Sequence, residues 1–205
     1  MKISILDSGF GNIRGIKNAL SFINLDCNFV KNKTQISNSN SIIIPGVGSF
    51  YQTIKRFKKK KIYDELVKHI FIKKKPMLGI CLGMQILFSN GNEDKEINGF
   101  NLFKGNVDSI NNTCNSELTH NVGWQNIKIV KKNLLFKGIP DNESFYFAHK
   151  YTPYNFNKLN VTATYRNNGK KMIAAINKKN AYGVQFHPEK SGKFGLKVLK
   201  NFSEI

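Results

Sequence analysis

A chain of 205 residues, 40% of them hydrophobic and sixteen of them Phe, is long enough for one sizeable core and too apolar for a disordered chain. Its formal charge of +19 would ordinarily suggest an anionic partner such as nucleic acid. The excess is Lys rather than Arg, however, and it travels with abundant Asn, Ile and Phe. Those residues have A/T-rich codons, so genome composition is sufficient to supply the bias and no nucleic-acid partner is expected. No stretch reaches the roughly 18 consecutive apolar residues of a membrane span. The opening "MKISILDSGFGN" is too short an apolar run for a signal peptide. A soluble, cytoplasmic protein is expected. Cys27, Cys81 and Cys114 are odd in number and lack CxxC spacing, which argues against a disulfide framework and a structural zinc site.

In chain order, "KISILD" (Lys2 to Asp7) reads as a short buried strand that breaks into "SGFGN". A helix follows, with Ile13, Ile16, Leu20 and Ile23 on one face. "NFVKN" is a strand, and "SIIIPGVGSF" is four strand residues stopped by Pro45 and two glycines. The Lys-rich run from Lys55 to Lys75 reads as a solvated amphipathic helix or helix pair. A site for an acidic partner or phosphorylated ligand is the alternative there. "KPMLGICLG" is a buried strand flowing into a helix at "LGMQILF". Such alternation implies parallel βαβ units with helices on both sheet faces.

After about Gly91 the pieces become short and β-rich: "WQNIKIV", "SFYFAHKY", "NVTATYR", "KMIAAIN" and "AYGVQFH". This half reads as antiparallel or mixed, and a helix at "GKFGLKVLKNF" closes the chain. With no repeat and no Pro- or Ser-rich linker, residues 1–205 read as a single domain. The expected class is α/β: a mostly parallel, mixed sheet with flanking helices and added antiparallel strands in the C-terminal half.

The chemistry concentrates at Gly79-Ile80-Cys81-Leu82-Gly83, a G-x-C-x-G segment between a strand and a helix. That is the form of a nucleophile elbow, where flanking glycines allow the tight turn that lifts a side chain above the sheet edge. A helix start at Leu82 points its positive end at the sulfur and favours thiolate. Alone, the segment also suits a small buried cysteine. A thiol nucleophile needs a base and the base needs an orienter. Of the four histidines, His69 reads as an exposed or packing residue, and His120 and His149 lack an acidic neighbour in sequence. His187 ends an apolar strand in "GVQFHPEKS", and Glu189 two residues on projects to the same side. A strand-end turn with an incidental His and Glu is the bland alternative. "IIIPGVGSF" can aim backbone N–H groups into a cavity and, with the Leu82 N–H, form an oxyanion hole. Without Cys81 it would read as an ordinary strand-to-helix turn.

"PGVGSF", "GICLGMQ" and "GVQFHPEKS", in this order and with these gaps, resemble the class I (triad) glutamine amidotransferases. The chain is most similar to their HisH family, the glutaminase subunits of imidazole glycerol phosphate synthase. The opening "DSGFGNI", Gly123-Trp124, "LFKGI" and "FYFAHKY" extend the resemblance over essentially the whole chain. It implies that Cys81 is the nucleophile, His187 the general base and acid, and Glu189 the group orienting His187. Gly46, Val47 and Gly48 would form the oxyanion strand with the Leu82 amide, while Gln85 and the backbone near Tyr151 would hold the substrate glutamine. Asn12, Trp124, Tyr146 and Lys190 match positions at or near the interface with a cyclase (HisF-type) subunit, a (β/α)8 barrel with an internal ammonia channel. The implied assembly is a heterodimer that needs no metal or organic cofactor.

Three departures stand out. The family usually reads P-H-x-G-W where this chain has "THNVGW", so Asn121 replaces a His. It commonly has H-S-Y where His149-Lys150-Tyr151 stand, and Tyr where Ser8 stands. They lie where the partner or the mouth of the site should be. They motivate a paralogous glutaminase subunit feeding a sugar-amidating synthase of surface polysaccharide biosynthesis as the alternative. A catalytically silent subunit is the third reading, which the intact Cys81, His187 and Glu189 oppose.

Overall fold

Alternation of apolar residues along each strand decides which face of the sheet it fills. The computed structural model describes residues 2–9, 11–114 and 119–205; within "DSGFGNI", Phe10 lies outside the described residues. The first part of the chain runs β1 (Ile3–Leu6), α1 (Ile13–Phe22), β2 (Cys27–Val30), α2 (Lys33–Asn38), β3 (Ser41–Ile44), α3 (Phe50–Lys59), α4 (Tyr63–Phe71), β4 (Met77–Ile80) and α5 (Leu82–Gln85). It continues with β5 (Phe88–Gly91), β6 (Ile97–Asn98), β7 (Phe103–Ser109), α6 (Ile110–Cys114), β8 (Asn121–Ile129), β9 (Ser144–His149) and β10 (Tyr151–Tyr154). The last elements are β11 (Val161–Asn167), β12 (Lys170–Lys178), β13 (Ala181–Val184) and α7 (Gly192–Ser203).

Among the described residues, nine strands form one sheet in the order β2-β1-β3-β4-β13-β12-β11-β8-β9. The first five pair in parallel and the remaining pairings are antiparallel. The change of sense falls at β13, next to the elbow strand β4. Each face carries its own core. Ile3 and Ile5 of β1, Ile43 of β3, and Leu78 and Ile80 of β4 pack with α1 and α7 residues such as Ile16, Leu20, Val198 and Phe202. Leu6, Ile42, Ile44 and Met77 point the other way, onto Phe50, Ile54 and Phe57 of α3 and Leu66 and Ile70 of α4. The period of two along each strand therefore produces helices on both faces.

A second sheet of four strands, β10-β7-β5-β6, lies beyond what the sequence expectation drew. It begins because the expected helix through "LGMQILF" stops after one turn, at Gln85. The chain from Phe88 is drawn into pairing with β7 and β6 instead. The Lys-rich run is a helix pair, α3 and α4, with Phe50, Ile54, Phe57, Leu66 and Ile70 inward. Part of its charge is tied down. Lys73 Nζ bonds Glu65 Oε1 at 2.9 Å and Ser37 Oγ at 2.7 Å, linking α4 to α2, and the Lys73 hydrogen bond lowers the Glu65 pKa despite burial. His69 is a packing residue, fully buried, with Nε2 donating to the Pro76 carbonyl at 3.2 Å. Among the described residues, no helix is long and apolar enough to cross a membrane.

Candidate active site

The strand–turn–helix at Cys81 is built by close backbone approach. Cys81 takes φ 52° and ψ −111°, a left-handed φ that costs an L-residue about 1–2 kcal/mol and persists only where surroundings enforce it. Its N–H is held by the Val184 carbonyl at 2.8 Å. The turn of α5 that follows lies directly on the neighbouring strands. A Cβ on Gly83 would stand 2.0 Å from the Ile44 oxygen, so only glycine allows the turn to sit that close to the end of β3.

His187 and Glu189 arrive from the end of β13, beside β4 in the sheet. His187 Nδ1 lies 3.0 Å from Glu189 Oε1, and both side chains are buried. Ser191 fixes the loop, accepting from the Tyr146 N–H at 2.9 Å and donating to the His187 carbonyl at 2.6 Å. The His187 N–H in turn donates to the Tyr146 carbonyl at 2.8 Å, which ties the loop to edge strand β9. With Nδ1 taken by Glu189, Nε2 is the nitrogen left for Cys81. It makes no hydrogen bond of ordinary geometry among the described residues. Burial alone would lower the His187 pKa. The Cys81 sulfur, and after it the Glu189 carboxylate, outweigh burial and raise it to about 10. His187 is thus held as imidazolium at neutral pH.

The expected oxyanion segment lies against the elbow. A Cβ on Gly46 would meet the Gly83 nitrogen at 2.3 Å and the Leu82 Cα at 2.7 Å. The turn passes through Gly48 at φ 117°, while the Val47 side chain faces outward. Two acidic residues unassigned by the sequence hold its far end. Phe50 N–H donates to Glu93 Oε2 at 2.7 Å, and Ser49 Oγ donates to Asp94 Oδ2 at 2.7 Å. Carboxylates suit this position, the positive end of α3.

Gln85 is buried, with Nε2 donating to the Tyr151 carbonyl at 2.8 Å and to Gln185 Oε1 at 3.2 Å. Gln185 Nε2 in turn donates to Cys81 Sγ at 3.5 Å. Sequence reasoning passed over Gln185, although it lies in "GVQFHPEKS". Of the expected interface positions, Trp124 of β8 is 56% exposed and meets Tyr146 edge-on, with ring centroids 6.0 Å apart. Lys190 Nζ stands 5.6 Å over the Tyr146 ring. These three form one aromatic–basic patch on the rim beside His187. Asn12 is apart from it in role: its side chain accepts from Gly15 N–H at 3.1 Å and caps α1.

Of the departures from the family pattern, Asn121 joins a buried network around His149. His149 Nδ1 donates to the Tyr151 carbonyl at 2.8 Å, leaving Nε2 to accept from Tyr165 Oη at 3.0 Å and from Asn121 Nδ2 at 3.4 Å. Burial lowers the His149 pKa to about 4, and burial does the same to His69. Both stay neutral in the folded chain while the unfolded chain takes up protons near pH 6.5. Stability is therefore expected to fall with pH between about 6.5 and 4, by about 1.5 kcal/mol per histidine from pH 6.5 to 5. His187, with its raised pKa, is protonated in both states below 6.5 and adds little offset there. Urea unfolding at the two pH values checks this, and His149→Gln should remove about half of the loss.

A family model for glutamine amidotransferase class-I matches residues 4–205. The chain belongs to the class I glutamine amidotransferases. Within that class it falls with the HisH proteins. It is 39% identical to the imidazole glycerol phosphate synthase subunit HisH of Caldanaerobacter subterraneus, over 99% of this chain and 98% of that one. It is 38% identical to the HisH subunit of Methanocaldococcus jannaschii, covering 99% of both. The fold is shared more widely. A structure of PurLQS from Thermotoga maritima superposes with a TM-score of 0.76 at 20% identity, covering 99% of this chain and 97% of that one.

Proposed function

We propose that the chain is the glutaminase subunit of an imidazole glycerol phosphate synthase, hydrolysing glutamine to glutamate and ammonia for a separate cyclase subunit in histidine biosynthesis. The observation that carries the chemistry is the meeting of Cys81, His187 and Glu189 at adjacent strand ends, with His187 held as imidazolium. The names carried by the relatives above favour this pathway over the sugar-amidating alternative.

Each residue then has a task. Cys81 sulfur attacks the side-chain carboxamide carbon of glutamine. The oxygen that gains charge is taken by N–H groups of the Gly46-Val47-Gly48 turn and of Leu82, fixed together by the packing of Gly46 on Gly83. His187 gives its Nε2 proton to the leaving nitrogen, the C–N bond breaks, and a thioester with free ammonia remains. Neutral His187 then takes a proton from water as the oxygen attacks the thioester. The C–S bond breaks, glutamate leaves, and the thiolate–imidazolium pair is restored. Glu189 keeps the Nδ1 proton in place throughout. Gln85 spends its N–H groups on Tyr151 and Gln185, so it serves the substrate by fixing the Tyr151 backbone at the mouth.

The partner is read as a cyclase (HisF-type) (β/α)8 barrel, forming a heterodimer with this chain. The Trp124–Tyr146 pair supports that reading, because exposed aromatic rings are enriched at interface centres. Tyr146 also holds the His187 backbone, so a partner pressing on it acts next to the base. No metal or organic cofactor takes part in acyl transfer of this kind, and the setting is cytoplasmic, where the thiols of Cys27 and Cys81 stay free. The test is glutamate release by the purified protein, alone and with the cyclase subunit of the same organism and its ribonucleotide substrate. Strong stimulation with imidazole glycerol phosphate appearing is expected. Glutaminase activity indifferent to that cyclase would move the partner elsewhere.

A further inference from the structure

Gln185 has no part in the reaction as written above, yet its side chain is wholly buried against the nucleophile. Its Nε2 donates to Cys81 Sγ at 3.5 Å, and its Oε1 accepts from Gln85 Nε2 at 3.2 Å. Which end of an amide is nitrogen follows from its partners. Here the chain of partners has one consistent sense. The Tyr151 carbonyl can only accept, so the end of Gln85 that meets it at 2.8 Å is the nitrogen. That nitrogen also meets Gln185, which must offer its oxygen there. The Gln185 nitrogen is thereby turned to the sulfur. Besides the His187 imidazole, the Ala148 carbonyl lies near Sγ, at 3.8 Å. It accepts from a thiol and offers nothing to a thiolate.

We propose that Gln185 is a catalytic residue whose amide N–H stabilises and aims the Cys81 thiolate. This rests on Cys81 being the nucleophile. The donor acts twice. It holds the sulfur before attack, when His187 still carries its proton. It acts again when the tetrahedral adduct of water collapses. The C–S bond then breaks and its electron pair returns to sulfur beside the Gln185 N–H, while glutamate departs. Because the amide is neutral, its hydrogen bond does not depend on whether His187 has given up its proton. Gln85 and the Tyr151 carbonyl are positioning groups for it.

The test is alkylation of Cys81 by iodoacetamide as a function of pH, followed by mass spectrometry on the Cys81 peptide of the full chain. Gln185→Met keeps length and removes the donor. Gln185→Glu keeps shape and replaces the donor with an acceptor. Each variant is first checked for a cooperative unfolding transition, and either one suffices. The alkylation midpoint should rise by about one pH unit, with alkylation roughly tenfold slower at pH values well below the midpoint. Gln85→Met, which frees the Gln185 amide to turn, should move the midpoint in the same direction by less. A folded Gln185 variant with the unaltered profile would overturn the proposal and leave Gln185 as core filling. The readout needs neither glutamine nor a partner. Its failure is therefore distinct from failure of the glutaminase reading, which glutamate release by the unaltered protein reports.

Discussion

Cys81→Ala is expected to lower glutamate release by about 10^4-fold or more, since losing the nucleophile of a covalent mechanism leaves only binding and oxyanion contributions. The protein should still fold. The Cys81 sulfur hydrogen-bonds Gln185, makes a longer contact with the Ala148 carbonyl and lies beside His187, and the left-handed backbone at this position is enforced by the Val184 hydrogen bond and the packed turn behind it. Alanine meets the same backbone penalty as cysteine. The purified variant should therefore bind the cyclase with unchanged affinity while the complex makes no imidazole glycerol phosphate from glutamine. Supplying ammonium salts directly should restore product, because the cyclase would then not need the thioester. Glutamate release retained by Cys81→Ala would remove the nucleophile from the mechanism.

Gly83→Ala should be the most damaging small substitution in the chain for stability. The added Cβ would lie 2.0 Å from the Ile44 oxygen, a backbone atom of a central strand that cannot turn aside. Gly79 meets the same turn from below, with a Cβ there 2.3 Å from the Gly83 oxygen. Relief requires α5 to move off β3, which takes Cys81, the Leu82 N–H and the Gln85 amide with it. Overpacking of this kind costs about 3 kcal/mol. The urea midpoint should drop accordingly, and any protein that remains folded should show depressed glutaminase activity. A variant of near-native midpoint and activity would mean that the elbow is looser than its packing implies.

The turn at Cys81 and the His187–Glu189 pair could be read from sequence because each part is local. Gly-x-Cys-x-Gly is a turn, His187-Pro188-Glu189 is a same-side pair, and Pro45-Gly46-Val47-Gly48 is a strand end. What the linear text could not give was the amide relay through Gln185, whose orientation is set by partners from two other segments, the Cys81–Gln85 turn and Tyr151. His149 was passed over for the same reason: its partners are Tyr165, Asn121 and a carbonyl, with no acid among them. In the fold, α2 escaped notice because its six residues bury only Ile36 and carry no apolar period. It is started by Asn32, whose side chain accepts from the Gln35 N–H. The second sheet escaped because "LGMQILF" has helical spacing that tertiary pairing of β5 with β7 overrides. The strand–helix alternation before Gly91 was clear, since short apolar runs such as Ser41–Ile44 and Met77–Ile80, bounded by Gly and Pro and separated by helical spacing, admit few other readings.

The most direct measurement is the intact mass and peptide map of the protein, with and without the cyclase subunit, after exposure to a diazo-ketone glutamine analogue. One adduct, on Cys81, prevented by excess glutamine and absent from Cys27, is the expected result. An unlabelled Cys81 in the complex, or labelling shared with Cys27 and indifferent to glutamine, would contradict a glutamine-binding nucleophile at this elbow.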